Sequence, residues 1–417
     1  MSPNSNSTNY TMERKKPIYY FILTLSLITV TSILFNQFKL INGVIWTFLT
    51  MGLLIMGIFF SKKIINDFTF ENTYFKLVFT LLFLYQIIQM ARGFTMDYKA
   101  FKEMVLSDYL LWPFLIPLFV FFNKKLSSFF YLLNAIYFLG IIFLVICLIY
   151  PSLIINRTTA EPFIHPFAFG CGFLLLNARY LSGKKKIIAF AALMVGLLCF
   201  IYLARRNGVV SYSALLITGL LLNFKNLSAG KLFKFIPIFS AIFIFIVLGL
   251  DYLPGSLTSR LSDRVSEDSR TDVFTDLFKD MDNHAVFGKG MNATYYSPSG
   301  GELPDEGVVF ISQDYRDAIE NGYLQLFLNG GIVYDVLFIL VTLPAVLLGF
   351  FKSNNQFVQA CAIVIFLWLI DMAIYGLPRL TLEYILVWIS VGVCYKKSIR
   401  QLTNEEIADE FNTIETT

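Results

Sequence analysis

The sequence predicts an all-α polytopic membrane protein of about twelve transmembrane helices with one large external loop that contains an amphipathic helix, and three observations predict it. Of 417 residues, 56% are hydrophobic and only 15% charged, and the mean hydropathy is +0.65. A water-soluble domain carries roughly 25% charged residues, so soluble enzyme folds are excluded first. The apolar residues fall in runs of about 20, the length that crosses roughly 30 Å of hydrocarbon as a helix. The alternating ten-residue segments of a membrane β-barrel are absent. Lysine and arginine, finally, concentrate in alternate connections between the runs, the pattern that fixes orientation in a bilayer.

The elements follow in order. Residues 1–17 form a polar tail ending in Arg14, Lys15 and Lys16. The first apolar run then resembles a signal peptide, but no small-residue cleavage site follows, so it is expected to stay as an anchor. Spans are expected at 18–36, 40–60, 74–92, 105–122, 127–150, 163–182, 187–204, 207–224 and 232–252, making up a block from 18 to 252. A loop, 253–322, separates them from spans 323–351, 356–376 and 379–395 within a second block, 323–395, and a tail occupies 396–417. Lys62 and Lys63, Lys124 and Lys125, Lys184 to Lys186, Lys225, Lys231 and Lys234, Lys352, and Lys396, Lys397 and Arg400 mark the cytoplasmic connections. Both termini are therefore expected in the cytoplasm, the acidic tail with Glu405, Glu406, Asp409 and Glu410 included, in a bacterial cytoplasmic (inner) membrane.

The loop is the one candidate for an extramembrane domain. Between Arg260 and Glu320 it holds six basic and thirteen acidic residues, so a net charge of +4 conceals a lysine-rich inner face and an acidic outer one. That near-neutral total, with no long basic stretch, gives no reason to expect nucleic acid as a partner. Ser269 and Asp272 read as a capping box, and Val273, Phe274, Leu277, Phe278 and Met281 recur at helical spacing, as in an amphipathic helix lying on a membrane surface. From Lys289 to Gly307 the glycines and prolines predict an irregular, mobile cover.

Arginines on the outer side run against the positive-inside rule and so call for a ligand. Arg157, Arg205, Arg206, Arg270 and Arg379 stand there, at the depth of lipid headgroups. A guanidinium binds phosphate bidentately and keeps its charge, which suits a lipid-linked pyrophosphate; the plain alternative is contact with ordinary lipid phosphates or loop carboxylates. His165 and His284 are the two histidines, and neither has a neighbouring second ligand, so no metal is expected. Cys147, Cys171, Cys199, Cys361 and Cys394 all lie in apolar runs without a CxxC pair. Asp280, Met281 and Asp282 spell DxD, but Met281 belongs to the apolar stripe of the loop helix. Glu320, where the chain returns to the membrane, is placed either as a general base or as a helix-start acid.

Four of these features together resemble the O-antigen polymerase and O-antigen ligase family of bacterial envelope glycosyltransferases, most specifically from Arg157 to Tyr334. Phe163, Ile164, His165 and Pro166, with Gly170 following, look like the family's Phe-x-His/Asn-Pro element. Arg205, Arg206, Asn207 and Gly208, then Ser211, Tyr212, Ser213 and Ala214, look like its arginine followed by Ser/Arg-x-Ser-Ala. The run from Arg270 to Met281 and then Gly288, Lys289 and Gly290 follow the order arginine, amphipathic helix, Gly-x-Gly. Glu320, Asn321, Gly322, Tyr323 and Leu324, then Asn329, Gly330, Gly331 and Ile332, match the loop end of the polymerase type, where ligases carry a histidine.

The resemblance implies transfer of a glycan from an undecaprenyl pyrophosphate donor to a sugar hydroxyl of another lipid-linked unit, outside the cytoplasmic membrane, with no cofactor, metal or nucleotide. The product would be an O-antigen, capsular or exopolysaccharide chain. Arg205, Arg206, Arg270 and Arg157 are then expected on the pyrophosphate, with Arg270 also stabilising the charge that develops on it. Glu320 or His165 would activate the acceptor, and Tyr295, Tyr296, Tyr315 and Asn321 would contact the glycan. Lipid-linked oligosaccharide, membrane lipids and a chain-length regulator are the partners it implies. A ligase acting on a lipid A-core acceptor is the near alternative. A flippase or transporter is the distant one, disfavoured because ionisable residues gather at span ends, with the Asp371 region the clearest exception and Asp335 and Glu383 nearer the ends.

Overall fold

A computed structural model describes residues 70–94, 97–98, 104, 110–122, 126–150, 157–203, 205–223, 269–298, 310–312, 315–317, 319, 321–374 and 376–416. The expected spans at 18–36, 40–60 and 232–252 lie outside the described residues. The helices are α1 (Thr73–Gly93), α2 (Trp112–Leu115, extended by a 3₁₀ turn Ile116–Phe122), α3 (Leu126–Ile149), α4 (Arg157–Leu176), α5 (Gly183–Tyr202) and α6 (Arg206–Asn223). After them come α7 (Ser269–Asp280), α8 (Gly322–Phe351), α9 (Gln356–Ile374), α10 (Leu382–Tyr395), α11 (Lys397–Arg400) and α12 (Asn404–Thr416). Between α7 and α8 lie three short strands, β1 (Tyr295–Tyr296), β2 (Phe310–Ser312) and β3 (Tyr315–Arg316), in the order β1-β3-β2 with antiparallel pairing and a bulge in β2.

Helices α1, α5, α8 and α9, together with 128–149 of α3, are long and apolar enough to cross a membrane. Which residues they bury shows the solvent they are built for. On α1 the exposed stripe is Tyr74, Leu77, Leu81, Leu84 and Ile88, while the face turned inward holds Gln86 and Gln89 beside Phe75, Val78, Phe79 and Leu82. On α8 the outward stripe is Ile332, Val336, Leu340, Leu343 and Leu347. Water-facing helices bury leucine and expose glutamine, and contiguous apolar stripes of this length are unstable in water. The inverse arrangement belongs in lipid, and the chain is an all-α membrane protein.

The centre of the bundle is α10. Its 14 residues are too few to cross a bilayer as an isolated helix. All of them are buried, because α8, α9, α4 and the 3₁₀ turn after α2 surround it, so it meets protein rather than lipid. Trp388 packs on Phe79, Phe338 and Tyr384, the Tyr395 ring stacks on Phe75 at 4.1 Å, and the Tyr395 hydroxyl donates to the Val341 carbonyl at 2.9 Å. Where two of the spans differ from expectation, the cause is local. The helix expected at 163–182 begins at Arg157 and stops at Leu176, where Asn177 donates its side-chain amide to the Phe173 carbonyl and a 3₁₀ turn follows. The one expected at 379–395 starts at Leu382, because Thr381 caps it by accepting from the Tyr384 amide.

The two ends of the bundle are distinct. At one end Glu71, 176–183, 352–356 and the C-terminal residues meet: Arg179 pairs with Glu405 at 2.9 Å, Gln356 donates to the Leu176 carbonyl, and Asn355 donates to the carbonyls of Ile399 and Leu402. The tail is a docked helix, with Ile407 and Phe411 buried and Phe411 against Phe130, Tyr180 and Phe357. The Glu71 carboxylate accepts from the Ser398 hydroxyl at 2.6 Å and amide at 3.0 Å. Burial pushes this carboxyl up, but the Ser398 hydrogen bonds and the Lys396 charge outweigh burial and leave it below its ordinary value. A lowered carboxyl contributes stability above its unfolded value and loses it as pH falls through the folded one. Acidification from pH 7 to 3 is therefore expected to lower the protection factor of the Ser398 amide, its exchange measured against the intrinsic rate at the same pH, and Glu71→Gln should remove that pH dependence; the same protection factor at both pH values in the wild type would refute the contact.

At the other end stand the loop, the C-terminal end of α1, the junction of α5 and α6, and the turn between α9 and α10. The loop helix α7, expected on a membrane surface, turns part of its apolar stripe into the protein. Leu277 and Met281 are buried against Ala293, Tyr295, Ile319 and Leu328, a small core that the loop shares with the start of α8, with Val273 and Phe274 half-buried beside them and Phe278 exposed. Residues 289–298 are irregular apart from β1, as expected, but they are packed rather than a loose cover, with Gly290, Met291, Ala293, Tyr295 and Ser297 buried. The rest of that segment, 299–307, lies outside the described residues.

Candidate functional site

Two polar constructions occupy the loop-bearing end. The first fastens the loop to the helices. Lys289 and Gly290 donate their amides to the carbonyls of Leu328 and Asn329, and Ile332 and Val333 donate to those of Ala285 and Val286, so the loop runs along α8 as a hydrogen-bonded strap. Gly331 interrupts α8 there with φ +64° and ψ −169°, and Gly288 opposite it has φ +62°. A β-carbon on Gly288 would stand 2.4 Å from the Gly330 nitrogen, and one on Gly331 would stand 2.4 Å from the Val286 carbonyl, so the two backbones approach as only glycines permit. The Gly-x-Gly and Gly-Gly elements of the sequence are thus one contact.

Helix α1 completes it. Arg92 donates to the carbonyls of Phe287 at 2.7 Å and Gly288 at 2.9 Å, Gln89 donates to Phe287 at 3.1 Å, and the Tyr85 hydroxyl donates to the Gly330 carbonyl at 2.6 Å. Gln86 donates to the Tyr334 hydroxyl at 2.9 Å. None of these four α1 residues stood out in the sequence, although Arg92 obeys the same signal as the other arginines, a guanidinium at the end of a span opposite the lysine-rich connections. The DxD sequence also belongs to the loop's framework. Asp280 pairs with Lys289 and accepts from the Tyr296 amide, while Met281 is core.

The second construction lies beside α10. His165 of α4 is 5% exposed, between the rings of Phe200 at 4.9 Å and Tyr212 at 5.7 Å, and its Nδ1 is 3.9 Å from the Glu383 carboxylate. The charges of Arg379 and Arg205 both reach the imidazole. Asp371 and Glu383 are near enough to act on each other, Arg379 acts on Glu383, and both carboxylates act on the Tyr212 phenol. Ser211 donates to Asp371 at 3.4 Å. Four helices, α4, α6, α9 and α10, thus converge their polar residues on one buried point.

Local sequence explains how each is held. Asp371 stands near the end of α9, whose helical bonding ends as the Gly376 amide donates to the Asp371 carbonyl at 2.8 Å. Glu383 is in the first turn of α10, where a carboxylate faces the positive helix end. Arg205 sits in the three-residue joint between α5 and α6, and Gly208 lets that joint close, since a β-carbon there would strike the Phe200 ring at 2.3 Å. Directly above, Asn321 caps α8 by accepting from the Leu324 amide and donates to the Ala373 carbonyl at 2.7 Å. The loop's closing residue therefore rests on the α9 terminus that carries Asp371.

Of the residues expected from sequence, His165, Arg205 and Arg379 come together here. Arg157 opens α4, Arg206 opens α6 and Arg270 stands in the first turn of α7, but their side chains lie outside the described residues, as does Glu320 altogether. Two of the residues expected to contact the glycan are also taken up by the fold. The Tyr295 ring is fully buried under α7 and offers no face to a sugar, and the Asn321 amide is already engaged on both sides as a helix cap. Tyr296 and Tyr315 stay exposed as a T-shaped pair with centroids 5.5 Å apart. Asp371 and Glu383 are the functional candidates that the sequence understated. Both stand at helix ends, so the Asp371 region is no mid-span exception, while Asp335 lies four residues past the Gly331 kink, with one buried oxygen lacking a hydrogen bond among the described residues.

Among the described residues no group of three or more His, Cys, Asp or Glu side chains is arranged to hold a metal ion. No protein-family model, no curated protein and no solved structure matches the chain.

Proposed function

We propose that the chain is a polysaccharide polymerase of about twelve spans, with both termini cytoplasmic and the loop outside, that transfers a glycan from a polyprenyl pyrophosphate to a sugar hydroxyl of a second lipid-linked unit. The observation that carries this reading is the convergence of Arg205 and Arg379 with Asp371, Glu383 and His165 at the loop-bearing end of the bundle. Such a site offers fixed positive charge for a leaving pyrophosphate and carboxylates for a hydroxyl proton, which are the two needs of this transfer. Arg157 and Arg206 open α4 and α6, two of the site's helices, Arg270 stands in the first turn of α7, and all three are the further candidates for the phosphates. The exposed Tyr296 and Tyr315 rings are candidates for contact with the growing glycan.

Transport is less well supported, because the charged residues of the cluster, Arg205, Arg379, Asp371 and Glu383, lie at helix ends or in the joints between helices rather than along a path through the bundle. The test is to supply purified protein in detergent with a lipid pyrophosphate-linked repeat unit and resolve the products by length. A ladder of multiples is expected; recovery of the repeat unit unchanged would reject the reading, and product formed only when a lipid A-core acceptor is added would replace it with a ligase. In the same assay Arg205→Ala is expected to lower transfer about 100-fold, the scale of losing one pre-organised charge-stabilising group. Arg205→Lys should restore little of it, since an ammonium cannot reproduce a bidentate contact.

A further inference from the structure

We propose that Val286 and Phe287 insert among the acyl chains of the leaflet at the loop-bearing end, so that the turn after α7 anchors the loop in the membrane. Among the described residues both are exposed, at 51% and 61%, as fully as Ile332 of α8 at 57%. They are also its neighbours. Ile332 and Val333 donate their amides to the carbonyls of Ala285 and Val286, so the turn prolongs the outward stripe of Ile332, Val336, Leu340, Leu343 and Leu347. That stripe is built for lipid, and a patch continuous with it meets the same neighbour. Phe278, exposed on α7 with its ring 5.9 Å from that of Phe327, carries the patch past the Gly331 kink.

The length of α8 gives the depth. Gly331 breaks the helix and Lys352 closes it, and residues 332–351 between them rise about 30 Å, the thickness of the hydrocarbon layer. Ile332 therefore stands at one boundary of that layer, with Val286 and Phe287 beside it. The turn changes character at the same place, since the polar Asp282, Asn283 and His284 are exposed just before the apolar pair begins.

The backbone of the turn is arranged for that depth as well. In water a surface turn leaves its carbonyls to solvent, but at the edge of hydrocarbon each needs a donor from the protein. The carbonyls of Ala285 and Val286 accept from α8, that of Phe287 accepts from Arg92 and Gln89, and that of Gly288 accepts from Arg92. Apolar side chains point outward while four successive carbonyls are served from within. Arg92 is thus spent on holding the turn against the helices.

The experiment places a nitroxide on Phe287→Cys in the full chain, reconstituted in vesicles of phosphatidylethanolamine and phosphatidylglycerol. Its collisions with oxygen, which concentrates in acyl chains, are compared with those of a water-soluble nickel chelate. The five native cysteines are all buried, so the wild type is the labelling blank. Leu340→Cys marks the lipid-facing stripe and Asn283→Cys marks water. The oxygen-to-nickel ratio at Phe287→Cys is expected to exceed that at Asn283→Cys at least fivefold. A ratio equal to that of Asn283→Cys would overturn the proposal by placing the turn in water, and poor access to both reagents would overturn it by showing another segment of the chain over the patch. Phe287→Trp keeps a large ring at the same position and gives a second measurement. The fluorescence it adds to that of the four native tryptophans should fall at least twofold in vesicles of brominated phosphatidylcholine. Added emission that persists there would overturn the insertion even if the cysteine variant failed to fold. Each of these outcomes leaves the polymerase reading as it stands.

Discussion

Gly331→Ala is expected to cost the protein about 3 kcal/mol or more and to lower its melting temperature and folded yield in detergent, although the change adds a single methyl group. Two effects combine. The backbone at Gly331, with φ +64° and ψ −169°, lies in a region that is essentially closed to residues with a side chain. The added carbon would also stand 2.4 Å from the Val286 carbonyl carbon and oxygen and 2.6 Å from the Gly288 nitrogen, backbone atoms that cannot rotate away. Relief requires the strap to lift, with loss of the hydrogen bonds that Lys289, Gly290, Ile332 and Val333 donate across the contact. Gly183→Ala is the control, because nothing lies within 4 Å of a β-carbon there. If Gly331→Ala melted with the wild type and its loop showed unaltered hydrogen exchange, the contact as described would be wrong.

Arg379→Met should be the most destabilising change of charge in the helical bundle, by about 3 kcal/mol. Asp371 and Glu383 are both buried and act on each other, and Arg379 is the cation that acts on Glu383. Removing the cation leaves two carboxylates in a poorly solvated place, and an uncompensated buried charge costs far more than an intact pair contributes. The double variant Arg379→Met with Glu383→Gln removes both members and is expected to melt above Arg379→Met alone. That non-additivity is the signature of direct coupling; a double variant no more stable than the single one would separate Arg379 from the carboxylates.

What the sequence made legible is what local pattern encodes. Runs of apolar residues announced α1, α3, α5, α8 and α9, and the stripe that follows Ser269 and Asp272 announced α7 within the loop. Partnership across distant segments is another matter. Ser211 and Asp371 are 160 residues apart, and nothing in the spacing around either announces the other. Tyr295 and Tyr296 are identical neighbours in sequence, but strand alternation buries one and exposes the other, a distinction that depends on β1 pairing with β3. Arg92 escaped notice because an arginine ending a span reads as an ordinary interfacial anchor until its carbonyl partners are seen.

The strap between α1 and α8 also sets an order of events during synthesis. Tyr85 and its Gly330 partner are 245 residues apart, and Gln86 and its Tyr334 partner 248. At a ribosomal pace of about 5–20 residues each second, α1 waits some tens of seconds in the bilayer before α8 is made. Throughout that interval Gln86 and Gln89 lack the partners that satisfy them in the finished fold, and two amides in hydrocarbon attract any available polar group. An early helix bearing such a debt depends on neighbouring segments, lipid headgroups or the insertion machinery to shield it. Assembly is completed from the late end of the chain, when the arriving glycines release α1 from its provisional company.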